Sequence, residues 1–319
     1  MNRLYKKILI TVKISGTVIF VILFSGLSLH DIQDKPIRVR LGYSLFAFQD
    51  VSAADASAAI KVYAETFKER IAKRLHRPTV FTSQIFNSTK DIIDALNKNE
   101  LDLMSVLSTE YFQIKKQHDI YPFLAVTAKD NAFEQYCLVV RNDLKIKQIA
   151  DLSGKTLAIP DPKYHPVMME WLFNYLAKNN MPEPSATFSK LKTFTKESNA
   201  TYDVFFQNSD CTIIRKNVYS TLCELNPQIK NKLTVFVTSV PMVLNFLAAN
   251  SSSDPEIIKI MLEEMRDFNL VPGGRNILNI FKANKWIRIS NNDLKSVEEI
   301  INENEAFRKK SLSKKTNKD

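Results

Sequence analysis

The chain has few of the residues from which metal sites and disulfide scaffolds are built. Its 319 residues include three cysteines and four histidines. No C-x-x-C pair and no H-E-x-x-H motif occurs, so the sequence gives no support for a metal site, and we expect no cofactor. Cys211 and Cys223 are the cysteines nearest in sequence. Whether they form a disulfide stays open, although small buried hydrophobes are the simpler interpretation of all three.

Glycine is also scarce, with six residues in the whole chain. Gly154-Lys155-Thr156 looks like the end of a P-loop, but that loop needs a glycine five positions before Gly154, where the chain has Ile149. The element after Thr156 is predicted to be a strand, whereas a P-loop is followed by a helix. No Gly-x-Ser-x-Gly elbow or nucleophile and base pairing occurs, so we predict that the protein is not an enzyme. A triad dispersed along the chain is the alternative.

The excess of positive charge lies at the two ends of the chain. Of the net charge of +10, residues 1–13 contribute four charges and residues 308–319 a net five. The body between them is nearly neutral and lacks the basic face of a nucleic-acid-binding protein, so we predict no nucleic-acid partner. We expect residues 308–319 to form a basic disordered tail.

Residues 1–30 have the layout of an export signal, a basic start followed by the apolar run Ile14–Leu29. We predict an N-terminal apolar helix that is either a signal peptide or a signal anchor. The run is shorter than the ~20 residues that span a bilayer, yet Ile8–Val12 would extend it if Lys13 snorkels. Removal of this segment and anchoring to the inner membrane by residues 8–29 are both open. In either case we expect a periplasmic or otherwise exported body.

From Ile37 onward, short apolar strands alternate with amphipathic helices, which is typical of a parallel α/β sheet. Polar residues interrupt this pattern after Val126, and a second alternating run follows. We therefore predict an α/β fold of two lobes, with lobe 1 in residues 31–126 and lobe 2 in residues 127–238. Residues 239–307 return to lobe 1 and add C-terminal helices. Two lobes joined by two crossing segments describe a clamshell.

One stretch is a candidate binding corner. Asp151–Pro162 predicts a turn and a buried strand that stops at two prolines, with a helix beginning near Pro166. Ligands of open α/β sheets collect where the carboxyl end of a strand meets the start of a helix, because unpaired N–H groups and the helix dipole point there.

Four pieces of sequence, taken in order, carry a resemblance to a known family. They are Gly42-Tyr43-Ser44, Leu101-Asp102-Leu103 with Tyr111, Tyr136 with Leu138-Val139-Val140-Arg141, and Asp151-Leu152-Ser153-Gly154-Lys155-Thr156 with Asp161-Pro162. Together they resemble the periplasmic substrate-binding proteins of phosphate, phosphite and phosphonate ABC transporters, a branch of the type II periplasmic-binding-protein fold. The resemblance implies a bilobed receptor that closes by a hinge on a small anionic ligand. It also implies an ABC permease or another inner-membrane partner, and an uncleaved N-terminal segment would add membrane contact.

The candidate site departs from the family pattern. The family usually has a Ser-Thr-Ser-Gly run after Asp-Pro, where this chain has Lys163-Tyr164-His165-Pro166, and the later segment 194–198 lacks the family's histidine. Phosphonate specificity is therefore not carried over. Lys163 would supply charge, Tyr164 a ring and hydroxyl, and His165 a donor or a switchable charge. The candidate ligand-binding residues are Tyr43, Ser108, Thr109, Tyr136, Lys163, Tyr164 and His165; a role in the helix start also accounts for Ser108 and Thr109.

A second function stays open at this stage. A membrane-anchored exported sensor or interaction protein could keep the fold without a role in transport. The altered loop, the scarcity of glycine, the uncertain cleavage site and the basic tail favour that alternative.

Overall fold

The computed structural model describes residues 8–14, 17–23, 36–48, 53–127, 131–272, 274–280 and 283–316. In chain order its strands are β1 Ile8–Ile14, β2 Thr17–Leu23, β3 Ile37–Ser44, β4 Thr79–Phe86, β5 Leu103–Leu107, β6 Ile120–Thr127, β7 Phe133–Glu134, β8 Tyr136–Arg141, β9 Thr156–Pro160, β10 Lys190–Phe194, β11 Cys211–Arg215, β12 Leu233–Thr238, β13 Met242–Val243, β14 Asn245–Asn250 and β15 Lys285–Arg288. Its helices are α1 Ala53–Leu75, α2 Thr89–Asn97, α3 Ser108–Lys115, α4 Pro166–Lys178, α5 Pro184–Thr187, α6 Glu197–Phe205, α7 Lys216–Leu225, α8 Pro227–Lys232, α9 Pro255–Arg266, α10 Gly274–Ile280 and α11 Lys295–Thr316.

The N-terminal segment differs from the prediction. β1 and β2 pair antiparallel, with Ile8 opposite Leu23 and Ile14 opposite Thr17, so the apolar helix expected here was wrong for these residues. Both stretches are rich in isoleucine, valine and threonine, whose branched side chains favour strands. None of the helices within the described ranges is long and apolar enough to cross a bilayer. The predicted leader extends into residues 24–30, which lie outside the described ranges.

Two sheets form the body of the protein. The first has six strands in the order β15-β6-β14-β5-β3-β4, and the second has five in the order β10-β9-β11-β8-β12. We call the first sheet with its helices lobe 1 and the second sheet with its helices lobe 2. In lobe 1, β3 runs parallel to β4 and β5. In lobe 2, β9 runs parallel to β10 and β11. The carboxyl ends of each parallel set therefore lie along one edge of its sheet, as the alternating sequence pattern predicts.

The two lobes are joined by two chain crossings that hydrogen bond to each other. β7 leads into lobe 2 and β13 leads out of it, and they pair antiparallel, with Phe133 opposite Val243 and Glu134 opposite Met242. β6 ends at Thr127 and β12 at Thr238, next to the boundaries predicted from the sequence. This paired connection is the bilobed architecture expected of the type II periplasmic-binding-protein fold.

The end of the chain packs on lobe 2. In α11, the side-chain amide of Asn304 donates to Glu170 Oε2 at 2.6 Å and to its backbone carbonyl at 2.9 Å. Arg308 lies 3.0 Å from the Glu170 carboxylate and stacks over Phe173 at 4.6 Å. The prediction of a disordered tail was therefore wrong for residues 308–316, which continue α11 because Arg308 anchors the helix to α4. Residues 317–319 lie outside the described ranges.

The cysteines are free thiols. Cys137 and Cys211 are buried in the core of lobe 2, and Cys223 is half-buried. Burial raises the pKa of the Cys137 thiol to about 12. Small buried hydrophobes are therefore the role the structure gives to Cys137 and Cys211, and Cys211 is not bonded to Cys223.

Candidate ligand-binding cleft

The carboxyl edges of the two sheets come together at one pair of aromatic rings. After β3, Phe46 lies in a short 3-10 turn over Leu45–Ala47 in lobe 1. After β9, Tyr164 lies in the loop before α4 in lobe 2. The ring centroids of Phe46 and Tyr164 are 5.7 Å apart in an edge-to-face arrangement. We call the region between the loops that carry these two rings the cleft.

In the loop from Asp161 to His165, the backbone N–H groups of Asp161, Lys163, Tyr164 and His165 are hydrogen bonded within the protein. The N–H of Asp161 donates to the Phe194 carbonyl at 2.8 Å. The N–H of Lys163 donates to Asp161 Oδ1 at 3.0 Å. The N–H groups of Tyr164 and His165 donate to the carbonyls of Asp161 and Pro162, at 3.1 and 3.2 Å. The first residue of α4 is a proline, which has no N–H. This start of a helix therefore presents fewer backbone donors to an anion than the corner predicted from the sequence.

The side chains of the same loop point to different surroundings. Lys163 is exposed, Tyr164 is half-buried against Phe46, and His165 is buried. His165 Nδ1 lies 3.4 Å from the hydroxyl of Tyr136, whose ring is fully buried and whose pKa is raised by burial. The structure thus brings Tyr136, Tyr164 and His165 of the predicted set to one place in lobe 2, with Lys163 beside them.

The lobe 1 candidates are more dispersed. Tyr43 is half-buried and packs on Phe48 at 6.0 Å between ring centroids, and burial raises its pKa. Ser108 is fully buried at the first position of α3, where its N–H donates to the Leu244 carbonyl at 2.9 Å and its hydroxyl donates to Val243. Thr109, on the next position of the helix, is half-buried. Ser108 therefore has structural partners at the end of the crossing strand β13 and in the residue that follows it.

Sequence reasoning missed a buried carboxyl group beside these residues. Glu110 is 6 % exposed. It accepts from Ser44 Oγ at 2.8 Å, from the Leu107 N–H at 2.9 Å and from Thr89 Oγ1 at 3.4 Å. Burial raises the pKa of Glu110, and the three hydrogen bonds oppose that rise. The only signal in the sequence is an acid three residues after the end of a strand, where it can cap the first turn of a helix.

A second missed feature is an ion pair at the carboxyl edge of the lobe 2 sheet. Glu197, the first residue of α6, accepts from the Arg215 N–H at 2.6 Å and from Arg215 Nε at 2.7 Å. Arg215 lies opposite Tyr136 in the pairing of β11 with β8. Segment 194–198, which lacks the family's histidine, thus contributes a buried carboxylate, and its charge is neutralised by the arginine. Glu197 and Arg215 are 18 residues apart, and no local pattern pairs them.

No metal cluster competes with the cleft in the described residues. Among them, no group of three or more histidine, cysteine, aspartate or glutamate side chains could hold a metal ion. A depression of about 180 Å³ is lined by Arg141, Phe205 and Lys232, among others. Arg141 ends β8, whereas Tyr136 begins it, so this depression lies at the opposite edge of the lobe 2 sheet.

A family model and several solved structures match the chain. The model of the family described as "ABC transporter, phosphonate, periplasmic substrate-binding protein" matches residues 51–294. A binding protein component of an ABC phosphonate transporter from Pseudomonas aeruginosa has a TM-score of 0.59 and 12% identity, over 86% of this chain and 88% of that chain. PhnD1 from Prochlorococcus marinus, solved in complex with methylphosphonate, has a TM-score of 0.54 and 16% identity, over 83% of this chain and 97% of that chain.

A third similar structure has a higher TM-score. A Xanthomonas citri protein solved with a bound chloride ion has a TM-score of 0.64 and 13% identity, over 85% of this chain and 99% of that chain. No curated protein matches the chain significantly. At these identities the solved structures establish the fold, which is that of type II periplasmic binding proteins.

Proposed function

The chain belongs to the periplasmic substrate-binding proteins of phosphonate ABC transporters, and from this premise we propose that its cleft binds a small organic oxyanion. Members of this family are receptors rather than enzymes, and they deliver a small ligand to an ABC permease. One observation carries the proposal for the ligand site, namely the contact of Phe46 with Tyr164 across the two carboxyl edges. A ligand held between these loops would touch both lobes at once and so favour the closed state of the hinge.

The groups around the cleft favour an anion that carries an organic part. Lys163 is an exposed cation next to Tyr164 in the sequence, and the ring of Tyr164 packs on that of Phe46. The nearby ion pair of Glu197 with Arg215 contributes no net charge. The backbone N–H groups of Tyr164 and His165, in the loop before α4, already donate to carbonyls of the protein. A fully charged inorganic phosphate would lose more hydration than so few donors replace, whereas an organic group would bury apolar surface against the rings.

A thermal-shift series tests this proposal. Methylphosphonate, ethanesulfonate, phosphate, sulfate and chloride would each be added to the purified protein. A ligand at 100 times its dissociation constant stabilises the native state by ~2.7 kcal/mol. With an unfolding entropy of about 2.1 cal/mol/K per residue, that is a rise in Tm of roughly 4 °C for a protein of this size. We expect a larger shift with methylphosphonate or ethanesulfonate than with phosphate or sulfate; no shift with either organic anion would refute the proposed ligand class.

Two lysine variants, one at the proposed site and one away from it, provide a matched control. Lys163→Gln should reduce the stabilisation by the organic anion because it removes the cation that is next to Tyr164 in the sequence. Lys190→Gln removes an equally exposed cation of lobe 2 at the start of β10, at the far edge of the sheet from the cleft. It should leave the shift unchanged. Equal shifts in both variants would remove Lys163 from the site.

The loop from Asp161 to His165, whose backbone N–H groups are already hydrogen bonded, also favours a second candidate, an exported sensor or interaction protein that keeps the fold without transport. Under this alternative, residues 1–28 would be retained as the membrane contact and none of the five anions would stabilise the protein. N-terminal sequencing of the mature protein and its fractionation with or away from membranes separate the two roles. A removed leader together with an anion-dependent shift would rule out the sensor.

A further inference from the structure

We propose that Glu110 is a positioning residue of the cleft, whose carboxyl group holds the turn that carries Phe46 against Tyr164 of the opposite lobe. This rests on the proposed function in one respect, since the ring contact is assigned to the closed form of a ligand-binding cleft. Glu110 acts on Phe46 through Ser44.

The carboxyl group of Glu110 is hydrogen bonded to three separate segments of the chain. One oxygen of its carboxyl group accepts from the hydroxyl of Ser44 at 2.8 Å, at the end of β3, and from Thr89 at 3.4 Å, at the start of α2. The other oxygen accepts from the N–H of Leu107 at 2.9 Å, at the end of β5. A single buried group therefore joins three chain segments at the carboxyl edge of the lobe 1 sheet.

Ser44 links Glu110 to Phe46. Ser44 Oγ accepts from the N–H of Phe46 at 3.2 Å while it donates to Glu110. A hydroxyl has one proton, so donation to the carboxyl group keeps that proton away from the Phe46 N–H and leaves a lone pair for it. The 3-10 turn has three residues and each is only half-buried, so its hydrogen bonds contribute to holding it in place. The orientation of Phe46 therefore depends on the serine cap, and the cap depends on Glu110.

The surroundings of Glu110 distinguish it from Asp102 and Glu264, the other buried acids in the described part of lobe 1. Asp102 forms an ion pair with Arg40 at 2.7 Å. Glu264 forms ion pairs with Arg70 at 2.6 Å and Arg74 at 3.2 Å, on helices away from the cleft. In the described part of the chain, Glu110 has only uncharged hydrogen-bond donors. A carboxyl group buried without a cation is costly compared with an apolar residue, which points to a role in geometry.

A double-mutant cycle in the ligand-free protein tests the inference. Phe46→Leu and Tyr164→Leu are made singly and together, and the urea midpoint of each variant is measured. Because the rings touch, the midpoint shift of the double variant should be smaller than the summed shifts of the two single variants. In a Glu110→Gln background the shifts should become additive. The glutamine amide has one acceptor oxygen and cannot accept from both the Ser44 hydroxyl and the Leu107 N–H.

The same double-mutant cycle is repeated in two further variants, Ser44→Ala and Glu264→Gln. Ser44→Ala keeps the carboxyl group and breaks only the link to Phe46, so it should make the ring shifts additive as well, and it replaces Glu110→Gln if that variant fails to fold. Glu264→Gln should lower stability but leave the rings coupled. The proposal is overturned if the rings stay coupled without Glu110 or Ser44, if they uncouple in Glu264→Gln, or if they are uncoupled in the unmodified protein.

Measurements of ligand binding distinguish this inference from the proposed function. For methylphosphonate, Glu110→Gln should raise Kd by roughly 2- to 10-fold, about as much as Phe46→Leu does, and the two changes together should add little. If neither methylphosphonate nor ethanesulfonate binds but the ring coupling depends on Glu110, the ligand class fails and the positioning role stands. If methylphosphonate binds and the coupling ignores Glu110, the positioning role fails and the receptor function stands.

Discussion

Glu197→Gln should lower the free energy of unfolding by about 3 kcal/mol, since it removes one partner of a buried ion pair. The Glu197 side chain is 3% exposed and that of Arg215 is 16% exposed. The carboxylate accepts from the backbone N–H and the guanidinium of Arg215 at 2.6 to 2.7 Å. Breaking such a pair costs about 3 to 5 kcal/mol. We expect the lower end because Arg215 keeps some contact with water.

Urea unfolding followed by far-ultraviolet circular dichroism measures this loss. With an m value of about 3 kcal/mol per molar urea, the midpoint should fall by about 1 M. In the double variant Glu197→Gln with Arg215→Met, no uncompensated charge is left, so more than half of the loss should be recovered. A loss below about 1 kcal/mol, or a double variant no more stable than the single one, would contradict a buried ion pair at this sheet edge.

Three other outcomes follow from the contacts described. Asn304→Ala should cost about 2 kcal/mol in chemical denaturation because it removes a fully buried amide that is hydrogen bonded to Glu170 on α4, and a neutral result would argue against the docking of α11. Burial raises the pKa of Glu110 above its ordinary value of 4.5, so the folded protein holds that proton more tightly than the unfolded chain. Unmodified protein should therefore gain stability relative to Glu110→Gln as pH falls through the raised pKa toward 4.5, and parallel stability profiles would exclude this. Under native conditions a thiol reagent should modify Cys223 alone, because the other two cysteines are buried; three fast-reacting thiols would disprove that burial.

The alternation of apolar strands and amphipathic helices predicted the two-lobed α/β body, because these periods are local properties of the chain. The same reasoning predicted a strand ending at Pro160 and a helix beginning near Pro166, and the structure has both ends there. It was wrong at the two ends of the chain. A run of apolar residues indicates burial but does not distinguish a helix from strands, and β-branched residues decided for β1 and β2. A run of lysines predicted disorder at the C-terminus, where Arg308 instead anchors a helix.

The candidate site was predicted only in part, for a reason that Tyr136 and His165 illustrate. Tyr136 was proposed from the family resemblance and His165 from the loop that departs from the family pattern, and only the fold brings them within 3.4 Å. The lobe 1 candidates Ser108 and Thr109 were proposed as ligand or helix-start residues, and a partner for Ser108 lies 135 residues away in the crossing strand. Whether any of the seven residues touches a ligand stays a prediction.

By itself, the sequence determined the family, the alternation of strands and helices in the body, and the corner where β9 meets α4, since each depends on residues close together in the chain. Only the tertiary structure decided which donors that corner still offers and which charges are cancelled. It placed Glu110 beside Ser44 and Glu197 beside Arg215. Hydrogen bonds and ion pairs of this kind depend on the close approach of distant segments, and packing of the whole fold sets that approach.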